Sequence, residues 1–288
     1  MDMQFLFDNN MTTPLLSILI PGKNASDYHG SFDRLRLNLT KTLSNVQHYD
    51  NIEVVLCDWG SEDKIVDSLN LTTSDKFKCV YVKPEIASIY NRETQYSIVH
   101  PINTAFRAST GKYVIFWDTD CYVTAHDFDK IVEFVKVMEK TDDQSFYWGS
   151  RFHIPYEFHQ DKILFSDVDE YLTTVNMSSL LHDKISVSNF LGCGIAMLMN
   201  RELWESSTGF WEELTYWGWQ DIEFHRRLLT KYKFSGDLED RGINFFHLNH
   251  HHITNSEGKR VNAQINSESF KANDENWGLS NEQLIWLE

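Results

Sequence analysis

The chain has 288 residues, 42% of them hydrophobic and 14% aromatic, which suits one sizeable α/β domain and excludes a disordered chain. Its 26 Lys and Arg against 42 Asp and Glu leave a net charge of −16, which argues against a nucleic-acid partner and against electrostatic docking on anionic lipid. Four cysteines without CxxC spacing exclude a zinc ribbon or a disulfide framework.

Residues 1–14 carry no basic region ahead of an apolar stretch, and no run approaches the roughly 18 apolar residues that cross a bilayer. The expectation is a cytoplasmic protein without a transmembrane segment, peripheral at most to a membrane.

Leu15–Ile20 is a short apolar run stopped by Pro21–Gly22 and predicts the first buried strand, with Lys23 and Asn24 in the loop beyond it. Phe32, Leu35, Leu39 and Leu43 recur at helical spacing and predict a helix over 32–46. Ile52–Cys57 is the second strand. It runs into Asp58–Trp59–Gly60–Ser61, a turn in which Ser61 and Asp63 would cap a helix near 64–69. Phe77–Val82 is a third strand, ending near Pro84, and residues 98–109 read as a helix stopped at Gly111.

Lys112–Trp117 is the next strand, and there the pattern changes. The run Val114–Trp117 meets Asp118 and Asp120, spaced i, i+2. Carboxylates are rarely left unpaired in a core. A strand ending on Asp-x-Asp therefore delivers them to its carboxyl end, where open α/β sheets bind ligands. Two hard oxygen ligands there suit Mg²⁺ or Mn²⁺, and such an ion suits a diphosphate. The plainer alternative is a solvated turn that caps the following helix, predicted over Phe128–Met138. The alternation of strands and helices to this point predicts a doubly wound, mostly parallel sheet.

The second half is less regular. Ser145–Phe152 reads as one strand. Residues 153–189 read as a loop-rich, acceptor-facing insertion with a short helix at Val168–Val175. Phe190–Met199 is a strand, Trp219–Leu229 a helix, and Ile243–Phe246 a last strand running into His247, His250, His251 and His252. After Thr254 the chain turns polar, and Trp277 with the closing LIWL is expected to dock back on the body.

Taken in order, ILIPGKN, VVLCDWGSED and NTAFRASTGKYVIFWDTD resemble the nucleotide-sugar half of family 2 glycosyltransferases. FLGCGIAMLMNRELWESSTGFWEELTYWGWQDIEFHRRL resembles their acceptor half, and WGWQDIE is closest to the β-galactosyl/N-acetylgalactosaminyl-transferase and chondroitin-polymerase pattern. FFHLNHH is similar to the family's closing strand with its metal-binding His, and NDENWGL to a Trp-Gly near the end of many members. Two departures stand out. Trp59 replaces the second Asp of the usual Asp-Asp-Gly-Ser loop, and Gln220 stands within a shortened Trp-Gly-Trp motif.

The resemblance implies a GT-A fold with a smaller acceptor-side subsheet. It divides the chain into one catalytic domain over 1–253, with a nucleotide half at 15–122 and an acceptor half at 123–253, and a mobile loop and tail over 254–288. It implies a metal-dependent, inverting hexosyl- or N-acetylhexosaminyltransferase that takes a UDP-sugar and a glycan or lipid-linked acceptor. Asp118 and Asp120 would hold Mn²⁺ or Mg²⁺, with a further ligand from His247 or His250, His250 being slightly favoured. Asp118 would otherwise reach the donor's ribose. Pro21, Lys23, Asn24, Asp58, Trp59, Asn103 and Arg107 are the other donor-side candidates, with Asp58 on the uracil ring and Trp59 stacking on it. Asp221, its pKa lowered by a helix N-terminus, is the expected base, with Glu223 as runner-up. Trp217, Gly218 and Trp219 would face the acceptor. A nucleotidyltransferase or a non-catalytic sugar- or nucleotide-binding module on the same fold stays open from the residues alone, as does the oligomeric state.

Overall fold

The computed structural model describes residues 13–25, 31–94, 96–155, 164–184, 196–250, 262, 273–280 and 284–287. The first half alternates β1 (Leu16–Gly22), α1 (Ser31–Val46), β2 (Ile52–Trp59), α2 (Ile65–Ser68), β3 (Phe77–Val82), α3 (Pro84–Asn91), α4 (Val99–Ala108) and β4 (Tyr113–Trp117). There follow β5 (Cys121–Tyr122), α5 (Ala125–Thr141), β6 (Phe146–Gly149), β7 (Arg151–Ile154), α6 (Phe165–Thr174), β8 (His182–Asp183) and β9 (Ala196–Asn200). The last elements are α7 (Arg201–Ser207), α8 (Gln220–Leu229), β10 (Phe234–Asp237), β11 (Phe245–Leu248) and β12 (Ile285–Leu287).

Eight strands form one sheet in the order β10-β6-β9-β4-β1-β2-β3-β12. The run β4-β1-β2-β3 is parallel throughout. β9 is antiparallel to β4 and β6, and β12 is antiparallel to β3. Every residue of β1, β2 and β4 is buried. That is why they are near-continuous apolar runs, broken only by buried Ser17, Glu53 and Asp58, instead of alternating ones. One face packs on α1 and α5 through Leu35, Leu39, Phe128 and Ile131. The other packs on α4, α7 and α8 through Ile102, Phe106, Trp204 and Phe224. Each such side chain contributes about 1.5–3 kcal/mol on leaving water.

A second sheet, β5-β11-β7-β8, stands beside the first. Its origin corrects the sequence expectation of one strand over 145–152. The chain breaks at Ser150, whose backbone N–H donates to Asp237 Oδ1 at 3.0 Å and whose hydroxyl donates to Asp237 Oδ2. β6 stays in the large sheet, and β7 leaves for the small one. Two further differences bear on the site. The last strand is shifted to Phe245–Leu248, so His247 lies inside it. Pro84, expected only to stop a strand, also opens α3, where its missing N–H costs nothing.

Near the end of the chain Trp277 is buried on Phe106, with ring centroids 5.5 Å apart, and β12 adds an edge strand. The strand expected to open at 190 is seen from Ala196, and its start, like most of the polar stretch expected to be mobile, lies outside the described residues; of that stretch Asn262 and residues 273–280 and 284–287 are described.

Candidate functional site

β4 ends on fully buried Trp117, and Asp118–Asp120 turn the chain into β5. The Cys121 N–H donates to the Asp118 carbonyl at 3.0 Å and closes the turn. α1 grips the same turn: Asn38 Nδ2 donates to the carbonyls of Asp118 and Thr119 at 2.9 and 3.1 Å. Thr119 Oγ1 donates to the Pro21 carbonyl at 2.9 Å, which ties the turn to the end of β1. The turn is thus held on both sides before any ligand arrives.

β5 then pairs antiparallel with β11, with His247 opposite Cys121, and the Leu248 N–H donates to the Asp120 carbonyl at 2.9 Å. This ladder brings together residues far apart in the chain. His247 Nε2 lies 3.3 Å and His250 Nε2 3.1 Å from Asp120 Oδ2. The three ligating atoms all lie within 4.8 Å of one another. Neighbouring ligands of an octahedral ion with bonds near 2.1 Å stand about 3 Å apart, so the spacing fits a small divalent cation. The sequence left open which histidine approaches; both do, because one sits in the strand and the other just beyond it. Arg34 Nε is 3.9 Å from the same carboxylate oxygen. Burial would raise the Asp120 pKa, but the His247 and His250 imidazoles override it and hold the carboxyl well below its ordinary range. Asp118 goes the other way, pushed up by burial and by the neighbouring Asp120 charge.

Behind the histidines lies a chain of contacts in the small sheet. β7 pairs with β11 so that His153 stands opposite His247, and their Nδ1 atoms are 3.1 Å apart. His153 Nε2 is 2.9 Å from Asp183 Oδ2, and Arg151 Nε donates to that oxygen, also at 2.9 Å. Burial would raise Asp183, but these two contacts hold it below the usual carboxylate range. Arg151 also lies within electrostatic reach of both Asp118 and Asp221.

Asp221 sits in the first turn of α8, half-buried, with the Ile222 N–H donating to it at 2.9 Å. The sequence predicted a lowered pKa there. Burial wins over the backbone donors, and the carboxyl is pushed up to about 6. Just before it, Trp217 is exposed, Gly218 has φ +80° and Trp219 takes φ +71°, a left-handed conformation rare for a bulky residue. Asn262 holds this loop. Its N–H donates to the Trp217 carbonyl at 3.0 Å, and its Nδ2 donates to those of Tyr216 and Gly218 at 2.6 and 2.7 Å.

Several expected site residues are used inside the fold instead. Asp58 is fully buried: it accepts from Ser61 Oγ and, at 2.8 Å, from the Ile65 N–H, and burial raises its pKa to about 6. Both its oxygens are engaged in the turn into α2. Trp59 is also fully buried, stacked on His100 at 5.6 Å with Nε1 donating to Asn91 Oδ1, so its ring faces the core and not an open pocket. Asn103 exchanges hydrogen bonds with the Phe210 backbone at 2.8 and 2.9 Å, which locks α4 to the chain after α7. Arg107 lies over the Trp277 ring and donates to the Trp277 and Glu275 carbonyls, so it holds the tail. Glu223 is fully buried and paired with Arg227 at 2.6 and 3.0 Å.

Pro21 is buried near the end of β1, and Lys23 and Asn24 follow it half-buried. Asn24 Nδ2 donates to Asp63 O and Ser68 Oγ, both at 2.9 Å. Sequence reasoning missed Arg34, Asn38, Arg151, His153 and Asp183. A signal existed for Arg151 and His153: in Arg-Phe-His-Ile they alternate with apolar residues and so share one strand face.

The model for a family described as glycosyltransferase like family 2 matches residues 17–241. An uncharacterized glycosyltransferase of Haemophilus influenzae is 29% identical over 125 residues, which are 43% of this chain and 44% of that protein. The match thus spans less than half of that relative. Two crystal structures of S. aureus TarS, one of residues 1–349, each align with 74% of this chain at 15% identity and a TM-score of 0.42. They are covered over 33% and 54% of their own lengths.

Proposed function

The chain belongs to the glycosyltransferase-like family 2, with a GT-A type α/β fold, and from that premise we propose that it moves a sugar from a UDP-sugar to a hydroxyl of a glycan or lipid-linked sugar, with inversion and with a divalent cation. The observation that carries this reading is the meeting of Asp120 with His247 and His250 at the carboxyl end of β4. These three would hold the ion, Mn²⁺ or Mg²⁺, and Asp118 would hold it through water or meet the ribose. When bound, the cation neutralises charge on the leaving diphosphate.

This chain's own residues do the rest. Pro21, Lys23 and Asn24 rim the donor side. Arg151 lies within electrostatic reach of Asp118 and Asp221 and supplies a positive charge to both. Exposed Trp217, with Gly218 and Trp219, offers a face on which an acceptor sugar stacks. Asp221 takes the hydroxyl proton as the new bond forms; a pKa near 6 keeps it ionised at neutral pH while leaving it basic enough to act. Attack from the side opposite the leaving diphosphate gives inversion. We take residues 1–253 as the catalytic unit, with its two halves meeting at the Asp118–Asp120 turn.

The test is nucleotide release from a panel of UDP- and GDP-sugars with Mn²⁺, with and without EDTA. The expected result is UDP release that EDTA abolishes and that the Asp120→Ala variant lacks even with Mn²⁺ present. Turnover of a GDP-sugar instead, or full activity in EDTA, would overturn the proposal.

A further inference from the structure

We infer that His153 is a positioning residue for the cation site: it accepts the Nδ1 proton of His247 and so leaves Nε2 of His247 to the cation beside Asp120. The inference rests on the reading of Asp120, His247 and His250 as the cation's ligands. The reasoning starts at the outer end. Asp183 Oδ2 already accepts from Arg151 Nε, and an ionised carboxylate can only accept. The contact from His153 Nε2 to that same oxygen, 2.9 Å long, therefore has its proton on Nε2. A neutral imidazole carries one N–H, so Nδ1 of His153 is an acceptor. His247 Nδ1 faces that acceptor at 3.1 Å, and two bare nitrogens would repel, so the proton there belongs to His247. With Nδ1 serving as donor to His153, Nε2, 3.3 Å from Asp120, is the atom that takes the metal, releasing as it does so any proton it shares with that carboxylate.

The backbone fixes this order of contacts. The β7–β11 register sets His153 opposite His247, and β8 sets Asp183 opposite Arg151. His153 and His247 are both buried, at 7% and 2% exposure, so water does not readily replace either partner. A partner on the far ring nitrogen both orients a ligating imidazole and makes it a better donor, and its removal typically weakens metal binding 10–100-fold.

Two measurements on the full chain test the inference. In metal-free protein labelled with ¹⁵N-histidine at neutral pH, the expected shifts show a protonated Nδ1 on His247 and a bare Nδ1 on His153. A bare Nδ1 on His247 overturns the inference. Mn²⁺ titration by calorimetry is then compared between wild type, His153→Phe and His153→Gln. Phe offers no acceptor and should weaken Mn²⁺ about 10–100-fold. Gln can accept from His247 and donate to Asp183, and should stay within about threefold of wild type. A Phe variant that folds and binds Mn²⁺ as tightly as wild type overturns the inference. Absence of Mn²⁺ binding in wild type would sink the cation reading separately, and the nitrogen shifts would still decide which histidine holds the proton.

Discussion

Asp221 and Glu223 stand two residues apart on one helix in different surroundings. Glu223 is sealed in with Arg227, whose guanidinium also donates to the carbonyls of Ser207 and Gly209. Removing a partner from such a buried pair costs about 3–5 kcal/mol. Glu223→Ala should therefore lower the unfolding free energy by that order, read as an earlier urea midpoint, while the pH profile of whatever activity remains keeps its wild-type shape. Asp221→Asn should do the reverse. It should leave UDP-sugar affinity and melting close to wild type and lower kcat by about 10²–10⁴-fold. The pH dependence has a definite sign. Asp221 can accept a proton only when ionised, and burial lifts its pKa to about 6. So kcat should rise about tenfold per pH unit up to that value and level off above it. A flat profile across pH 5 to 7 would remove Asp221 from the role. The identity of both carboxylates was legible in the sequence. Their different surroundings were not, because these depend on Arg227 folding one turn back and on how much water each group loses.

At the scale of elements, the turn after β4 is held more than it holds. Asn38 of α1 is buried and satisfies two of its carbonyls. Asn38→Ala would strand both acceptors, at a cost of about 1–3 kcal/mol. Thermal unfolding should show that loss, and Mn²⁺ affinity should fall with it, although Asn38 touches no ligand atom. The strands β1 to β4 could be read from sequence to within a residue or two, because strands buried on both faces must be apolar runs and such runs are visible. The departure of β7 could not. It depends on Ser150 meeting Asp237, a contact between distant residues that leaves no local pattern. The internal contacts of Asp58 and Asn103 were hidden for a related reason. Both are polar residues at strand or helix positions, and only the fold shows the partners that each already holds, Ser61 and Ile65 for Asp58 and Phe210 for Asn103.

At the scale of the whole molecule, the chain crosses between its two sheets at the same place where the candidate ligands gather. β4 belongs to the large sheet and β5 to the small one, and only the Asp118–Asp120 turn lies between them. The acidic excess read from composition did not reveal this, since net charge says nothing of where charges meet. Nor did it reveal that Arg34 and Arg151 stand close by as local positive charges in an acidic protein.

That two-residue ladder between β5 and β11 has a thermodynamic consequence. The imidazoles and the carboxylate come from opposite sides of it, so unfolding scatters them, and an ion that prefers the assembled set resists unfolding. Saturation at a hundred times the dissociation constant should add about 2.7 kcal/mol to the folded state. Calorimetric melting should therefore climb with each increment of Mn²⁺ and return to its starting point on chelation. Asp120→Ala should melt at one temperature whatever the Mn²⁺ concentration. Heat resistance would then report on the ion with no sugar in the tube.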